Sequence, residues 1–331
     1  MTTQTLRDSY GRTIDYLRVA VTDRCNLRCV YCMPKGGISF QEEFAQLTTS
    51  ELYKTIETAA ELGIKKVRFT GGEPLLRNDL CDLVHFTAHQ PGIQSVHLTT
   101  NGLLLHKHLN ALLAAGISSI NISLDSVNAA RYLSITRRHS FEQVWQNIQL
   151  ALESGFTNIK LNVVALADLT ADEIARFIQL TEAYPITVRF IELMPFNTNS
   201  GDWQRRSFTS AAHVLNMLHE SHPDAAASKG SSTEQFHFSF QGYAGHVAII
   251  PAYTRSMCLN CSRLRLTSNG QLLNCLYSKQ PFDLKTLLRT GASNKEIEGL
   301  FYDAVNTKPQ NGHIARNDSS NNSICMTQIG G

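Results

Sequence analysis

Six of the chain's eight cysteines fall into two triplets. The first, Cys25, Cys29 and Cys32, is spaced C-x3-C-x2-C within one short loop. Three thiolates so close together can hold three irons of a 4Fe–4S cube and leave the fourth iron open to a ligand. Zinc is the competing reading, but structural zinc usually takes four ligands in two pairs, and no fourth partner is adjacent. The second triplet, Cys258, Cys261 and Cys275, again offers three thiolates and no obvious fourth. Its internal run, Cys261–Ser262–Arg263–Leu264–Arg265–Leu266–Thr267, places two arginines beside the thiols; without the cysteines it reads as a plain basic strand. Of the remaining pair, Cys81 lies in a helix-like segment and reads as a small buried hydrophobe, while Cys325 reads as an exposed thiol among polar residues.

Positioning such loops requires a framework, and the chain repeats one pattern six times between Tyr16 and Met194. Each unit is a β-rich run, a turn and an amphipathic helix. The strand candidates are Tyr16–Thr22, Val67–Thr70, Ser95–Thr100, Ser118–Leu124, Asn158–Leu166 and Ile186–Leu193. Capping pairs open several helices (Thr48 with Glu51, Ser140 with Gln143, Thr170 with Glu173), and glycines close several (Gly63, Gly116, Gly155). This alternation predicts an α/β fold with a parallel sheet and right-handed crossovers. With no dinucleotide fingerprint after the first strand, a curved, partial (βα)6 barrel is expected, its strand ends presenting loops to ligands.

The strands carry an anomaly. Buried parallel strands normally read as unbroken Val, Ile and Leu, yet here polar residues recur at alternate positions: Arg18 and Thr22, Arg68 and Thr70, His97 and Thr99, Asn121 and Ser123, Lys160 and Asn162, then Arg189. A period of two aims each set at one side. Either the barrel interior is a polar ligand site, or each residue meets solvent at a strand end. Beyond Met194 the rhythm breaks into a polar loop with Trp203, a helix-like stretch from Ser210 to Glu220, and a small polar linker at Pro223–Gln235. A smaller module begins near Phe236, with strand-like runs Phe236–Phe240 and His246–Ile250, and the last twenty residues look like an extended polar tail. The expected organisation is a core over 8–230 and a cluster-binding module over 231–331.

Composition bounds the function. Hydrophobic residues make up 43% and charged residues 18%, as in a globular chain. A net charge of +2 argues against nucleic acid as a bulk partner, so any anion must be held by a few placed cations. No apolar run approaches the length of a membrane span, and the N-terminus lacks the apolar stretch of a signal peptide. A cytoplasmic location is expected, where clustered cysteines point to metal rather than disulfides.

The loop Cys25–Cys32, with Tyr31 just before its last cysteine, resembles the motif of the radical S-adenosylmethionine (SAM) superfamily. The resemblance implies that an open iron chelates the amino and carboxylate groups of SAM, and that an electron then releases a 5′-deoxyadenosyl radical. Gly71–Gly72–Glu73–Pro74, ending the second strand, matches the superfamily's SAM-binding loop; alone it would be an ordinary turn. The C-x2-C-x-R-x-R-x-T…C block and the terminal Gly330–Gly331 narrow the resemblance, over essentially the whole chain, to the GTP 3′,8-cyclase family of molybdenum cofactor biosynthesis. Ser262 departs from the asparagine expected after the second cysteine of that block.

That resemblance implies two 4Fe–4S clusters, one on each triplet, with SAM contacts at Tyr31, Gly72, Ser123 and Met194. It places GTP contacts at Arg18, Arg68, Thr99, Lys160, Arg189, Arg263, Leu264 and Arg265, and lets the tail with Gly330 and Gly331 enter the cavity to arrange Arg263 and Arg265 for the radical step. The implied reaction abstracts the ribose 3′ hydrogen, joins C3′ to guanine C8 and yields a reduced cyclic nucleotide. An electron donor, a downstream cyclic pyranopterin monophosphate synthase and a homodimer are the implied partners. A radical SAM peptide- or haem-modifying enzyme with an auxiliary cluster is the alternative, but it gives no reason for Arg263 and Arg265. A cluster-bearing regulator would need closed four-ligand sites and a basic docking helix, and neither is visible.

Overall fold

The computed structural model describes residues 5–194, 207–228, 236–254, 257–278, 280–317 and 326–330. Six strands appear where alternation predicts them: β1 (Tyr16–Ala20), β2 (Lys66–Thr70), β3 (Ser95–Thr100), β4 (Ser119–Ser123), β5 (Ile159–Ala165) and β6 (Thr187–Glu192). They pair in sequence order and all in parallel.

The sheet does not stop at these six. Beyond β7 (Ala226–Ala227) and β8 (Phe236–Ser239), β9 (His246–Ile250) pairs in parallel with β6, while β10 (Arg263–Leu266) pairs in parallel with β1 at the opposite edge. Eight strands therefore run the same way. Short antiparallel strands finish both ends, β8 and β7 beyond β9, then β11 (Gln271–Leu273) and β12 (Phe282–Asp283) beyond β10. The outermost strands have two residues each, which leaves little bare edge for another chain to pair with. The connection over residues 251–262 joins strands on the two opposite edges and carries Cys258 and Cys261.

Alternation sorts the two faces. Leu17, Val19, Val67, Phe69, Val96, Leu98, Ile120, Ile122, Leu161, Val163, Val188 and Phe190 point to the helical side and sit in one apolar core with Val247, Ile249, Leu264 and Leu266. Each such side chain withdrawn from water stabilises the fold by about 1.5–3 kcal/mol. The polar alternates face the other way. The helix Thr49–Glu61 opens with the full Thr48–Glu51 capping box, and Thr170 caps the helix Ala171–Ala183 through the Glu173 amide. Ser140 precedes the helix Phe141–Glu153 but makes no side-chain cap bond, so that expected signal is not used.

The C-terminal stretch departs from the extended tail expected. Its described parts are two short helices, Gly312–Asn317 and Met326–Ile329. Ile329 is fully buried against Leu273, Leu276, Tyr277 and Ala315, an apolar patch that a polar average over twenty residues conceals. Cys325, Gly331, Trp203 and most of the 223–235 linker's second half lie outside the described residues.

Candidate active site

All eight parallel strands contribute to one cavity of about 530 Å3, which shows that the sheet curls around it. Parallel register lines up the polar alternates: Arg265, Arg18, Arg68 and His97 stand opposite one another across β10, β1, β2 and β3. Thr99, Asn121 and Lys160 form a second row, and Asn162 faces Arg189 in a third. Arg68, Asn121, Arg189 and Arg265 are buried, which removes the solvent-facing alternative for these four, while Arg18, His97, Thr99, Lys160 and Asn162 are half-buried and line the cavity.

The lining is strongly cationic. Eight lysines and arginines (Arg18, Lys65, Lys66, Arg68, Lys160, Arg189, Arg263 and Arg265) meet one carboxylate, Asp15. Tyr16 stands at their centre. Its hydroxyl oxygen accepts from Arg68 Nε at 2.7 Å and Arg18 Nε at 3.3 Å, and the Lys66 ammonium lies 4.9 Å from its ring centroid. Burial alone would raise this phenol, but Arg18, Arg68 and Arg263 together hold it well below the usual phenol range. Burial, with Arg18 and Arg263 adding to it, drags Arg265 down to about 9. Burial and then Arg68 push His97 down to about 2, so its imidazole is neutral. Arg68 Nη2 approaches His97 Nδ1 at 3.2 Å and can only donate, which leaves the Nε2 proton for Ser95 Oγ at 3.0 Å. So many desolvated like charges repel one another, and a bound polyanion relieves that repulsion.

The first triplet occupies the loop leaving the C-terminal end of β1. Gly71 and Gly72 exist for packing here: a Cβ on Gly71 would stand 2.3 Å from Thr22 O, and one on Gly72 2.2 Å from Arg24 O. Their bareness lets the β2 loop bond the cysteine loop backbone to backbone, Gly72 N to Thr22 O at 2.8 Å and Glu73 N to Arg24 O at 2.7 Å. Glu73 is buried, its pKa lifted by burial to about 7, and it accepts from Thr100 Oγ1, Asn101 N and Leu75 N. Asn101 Nδ2 in turn reaches Asn26 Oδ1 at 2.7 Å and Cys25 Sγ at 3.9 Å. Tyr31 donates to Asp125 Oδ2 at 2.6 Å, which ties the loop to the end of β4. Burial pushes Cys25 up to about 11 and Cys29 well above the ordinary thiol range, a shift that bound iron reverses by deprotonating its ligands.

The second triplet lies at the other end of the cavity. Cys261 precedes β10, which runs parallel to β1, and Cys275 follows β11, which runs antiparallel to β10. Both therefore flank the N-terminal end of β1, about 13 Å of strand away from the end that carries the first triplet. Cys261 lines the cavity itself. No three His, Cys, Asp or Glu side chains among the described residues converge on the single point that one metal ion requires. Three thiolates at each end of the cavity could each hold three irons of a 4Fe–4S cube.

The tail enters between these features. Gly330 O accepts from Arg265 Nη1 at 3.1 Å, and Gly330 has φ +72°, a conformation open to glycine. A Cβ there would stand 2.2 Å from Thr70 Cγ2. Gly331 lies outside the described residues.

Of the expected nucleotide contacts, Arg18, Arg68, Thr99, Lys160, Arg189, Arg263 and Arg265 all line the cavity. Leu264 does not: its side chain is fully buried in the core on the opposite face of β10. Of the expected SAM contacts, Met194 lines the cavity, Ser123 ends β4 on the Asn121 face, and Tyr31 and Gly72 belong to the two loops above β1 and β2. Tyr16, Lys66 and Lys308 were not anticipated, nor was Glu192, whose buried carboxylate gathers Ala211 N, Tyr253 N, Thr254 N and Thr254 Oγ1. Tyr16 and Lys66 sit two residues before Arg18 and Arg68, so the period-two rule could have found them.

Comparison with known proteins agrees with this geometry. Residues 19–181 match the Radical SAM superfamily, and residues 186–314 match Molybdenum Cofactor Synthesis C. A GTP 3′,8-cyclase from Chlorobaculum tepidum is 40% identical over 326 residues, 98% of this chain and 97% of its own. Molybdenum cofactor biosynthesis protein 1 from Bos taurus is 38% identical over 92% of this chain and 48% of its own. Streptococcus suis SuiB bound to its precursor peptide SuiA superposes with a TM-score of 0.58 at 14% identity, over 92% of this chain and 68% of that one, a likeness of fold alone. With a SAM-type cysteine loop above a cationic barrel, and near-full-length identity of this degree, the chain belongs to the GTP 3′,8-cyclase family of radical SAM enzymes.

Proposed function

We propose that this chain binds GTP in the barrel cavity and joins ribose C3′ to guanine C8, giving (8S)-3′,8-cyclo-7,8-dihydroguanosine 5′-triphosphate, an early intermediate of molybdenum cofactor biosynthesis. The observation that carries the reading is the cavity's lining of eight cations against one carboxylate, between thiol triplets at its two ends. Cys25, Cys29 and Cys32 would hold a 4Fe–4S cluster that, with SAM, would supply the hydrogen-abstracting radical, and Cys258, Cys261 and Cys275 would hold a second whose open iron would take the base.

The chain's own residues do the rest. Arg18, Arg68 and Arg189 hold the triphosphate through forked, charge-assisted bonds and Lys160 through its ammonium, with Thr99 beside them. Arg263 and Arg265 act next to the reacting nucleotide, and Gly330 keeps Arg265 in place. Any part Leu264 plays comes through its backbone, since its side chain is in the core. Tyr31, Gly72, Ser123 and Met194 orient SAM. Enclosure by the curled sheet fixes the target carbon and keeps water from the radical. The 8–230 core thus performs the SAM chemistry, while 231–331 adds the second cluster and both outer parallel strands.

A peptide-modifying activity would also fit the barrel, because SuiB was solved with a peptide bound. The cavity's charge favours a polyphosphate instead. An electron donor, a cyclic pyranopterin monophosphate synthase that takes the product, a cytoplasmic location and a homodimer complete the proposal; no described helix is long and apolar enough to cross a membrane. The test is anaerobic incubation of reconstituted protein with SAM, reductant and GTP, read by mass spectrometry. Cyclic product and deoxyadenosine in step support the reading. Deoxyadenosine without any nucleotide product overturns it.

A further inference from the structure

Lys308 is a buried cation without a carboxylate. The residue is 3% exposed, and no Asp or Glu among the described residues lies within ion-pair distance of it. Its ammonium donates to the carbonyl oxygens of Arg263, at 2.9 Å, and Asn274. Those carbonyls stand two residues after Cys261 and one before Cys275, so a single side chain bridges the two cysteine-bearing segments. It does not line the cavity, which separates it from the cations that face a nucleotide. Carbonyl dipoles solvate an ammonium but leave its charge uncompensated, and an unpaired buried charge is strongly unfavourable.

The residues that follow close on the third thiol. Gly312 N donates to Cys258 Sγ at 2.9 Å, and a Cβ on Gly312 would stand 3.3 Å from that sulfur. Arg12, paired with Asp8, donates to the carbonyls of Cys258, Pro309 and Gln310, fixing this segment against the cysteine loop. Residues 308–312 therefore touch all three cysteine-bearing stretches, through the carbonyls of Arg263 and Asn274 and the sulfur of Cys258. Among the described residues no carboxylate pairs with Lys308, while the Cys261 and Cys275 thiols lie close enough to feel its charge.

We infer that Lys308 is the fixed positive partner of the second thiol triplet, a positioning residue that ties the Cys261 and Cys275 segments together and offsets the negative charge of the centre they hold. The inference rests on the proposal that this triplet carries an iron–sulfur cluster. Outer partners of this kind set both affinity and potential. A nearby fixed cation favours the reduced, more negative state, so removing it makes the centre harder to reduce.

The test uses the full chain with Cys25, Cys29 and Cys32 all replaced by alanine, which reports the second centre alone. If this parent binds no iron after anaerobic reconstitution, the cluster reading fails and the role of Lys308 fails with it. If it binds iron, Lys308→Gln, which keeps a donor but no charge, is compared with Lys308→Arg. The Gln variant is expected to show a more negative midpoint by spectroscopic titration and to lose iron to a chelator about ten-fold faster, with the Arg variant close to the parent. A Gln variant with the parent's midpoint and release rate overturns the inference while leaving the cluster reading intact. Equal damage in Gln and Arg also overturns it, because that outcome reports shape and not charge.

Discussion

The guanidinium of Arg265 holds the carbonyl oxygen of Gly330 at 3.1 Å, so the end of the chain is docked on a cavity arginine. Gly330 needs φ +72° and has Thr70 where a Cβ would go. Gly330→Ala should therefore unseat the tail at a cost of about 1–3 kcal/mol, while iron content and SAM cleavage stay near normal. Product yield should fall accordingly. Removing the last two residues should do the same, and a peptide copying the last ten or so should partly restore turnover. Full product yield from the truncated chain without peptide would show the docked tail to be dispensable.

Tyr16 offers a sharper probe of the cavity than any single arginine. Its oxygen takes one bond from Arg68 and one from Arg18, so Tyr16→Phe frees both guanidinium groups without changing the ring. A bond to a charged group is worth about 1.5–3 kcal/mol, and GTP affinity should fall by about ten-fold or more. Lys160→Ala and Arg265→Ala should cost on the order of 2–4 kcal/mol each. Calorimetry with GTP checks all three, and unchanged affinity in every one would place the nucleotide elsewhere.

Exchanging Cys29 for serine should abolish deoxyadenosine formation. Exchanging Cys261 should spare SAM binding, end GTP conversion and halve the iron, if each triplet holds one cube. Iron analysis and product assays on the same preparations distinguish the two centres. A Cys261→Ser protein with full iron and normal turnover contradicts the assignment of the second triplet.

His97 predicts a pH dependence. Its folded pKa, about 2, lies below the unfolded value near 6.5, so the unfolded chain binds the extra proton as pH falls. The stability this group contributes is complete above about 6.5 and is lost toward acid at about 1.4 kcal/mol per pH unit. His97→Asn keeps an acceptor for Arg68 and removes the titration. Denaturant melts between pH 7.5 and 5.5 should be flatter for the variant by about 1.4 kcal/mol over the whole interval, because the full slope is reached only below about pH 5.5. Parallel curves would mean that the imidazole titrates normally.

Much of this site was legible in the sequence because its signals are local. The six strands, the faces of Arg18, Arg68, Thr99, Lys160 and Arg189, and the cysteine loops follow from a period of two and from spacing. Tyr16 and Lys66 obey the same period, but Tyr16 reads as an ordinary aromatic strand residue and Lys66 stands one residue before the expected Val67–Thr70 strand. Lys308, before a proline after a helix, carries no local mark; its role exists only once β10 and the Cys275 turn meet around it. Helical packing of Met326–Ile329 was hidden for a like reason, since the patch it covers comes from Leu273, Leu276 and Tyr277.

The two outer parallel strands, β9 and β10, lie within residues 246–266 yet border opposite edges of the sheet. A nascent chain that has delivered its first 240 residues from the ribosome has six strands and two open flanks, each a row of unpaired amides. Neither flank can be shielded before the other for more than the few seconds that twenty residues take to synthesise. Until then both borders are open to pairing with a neighbouring chain, and a gene fragment ending near that point should yield insoluble product.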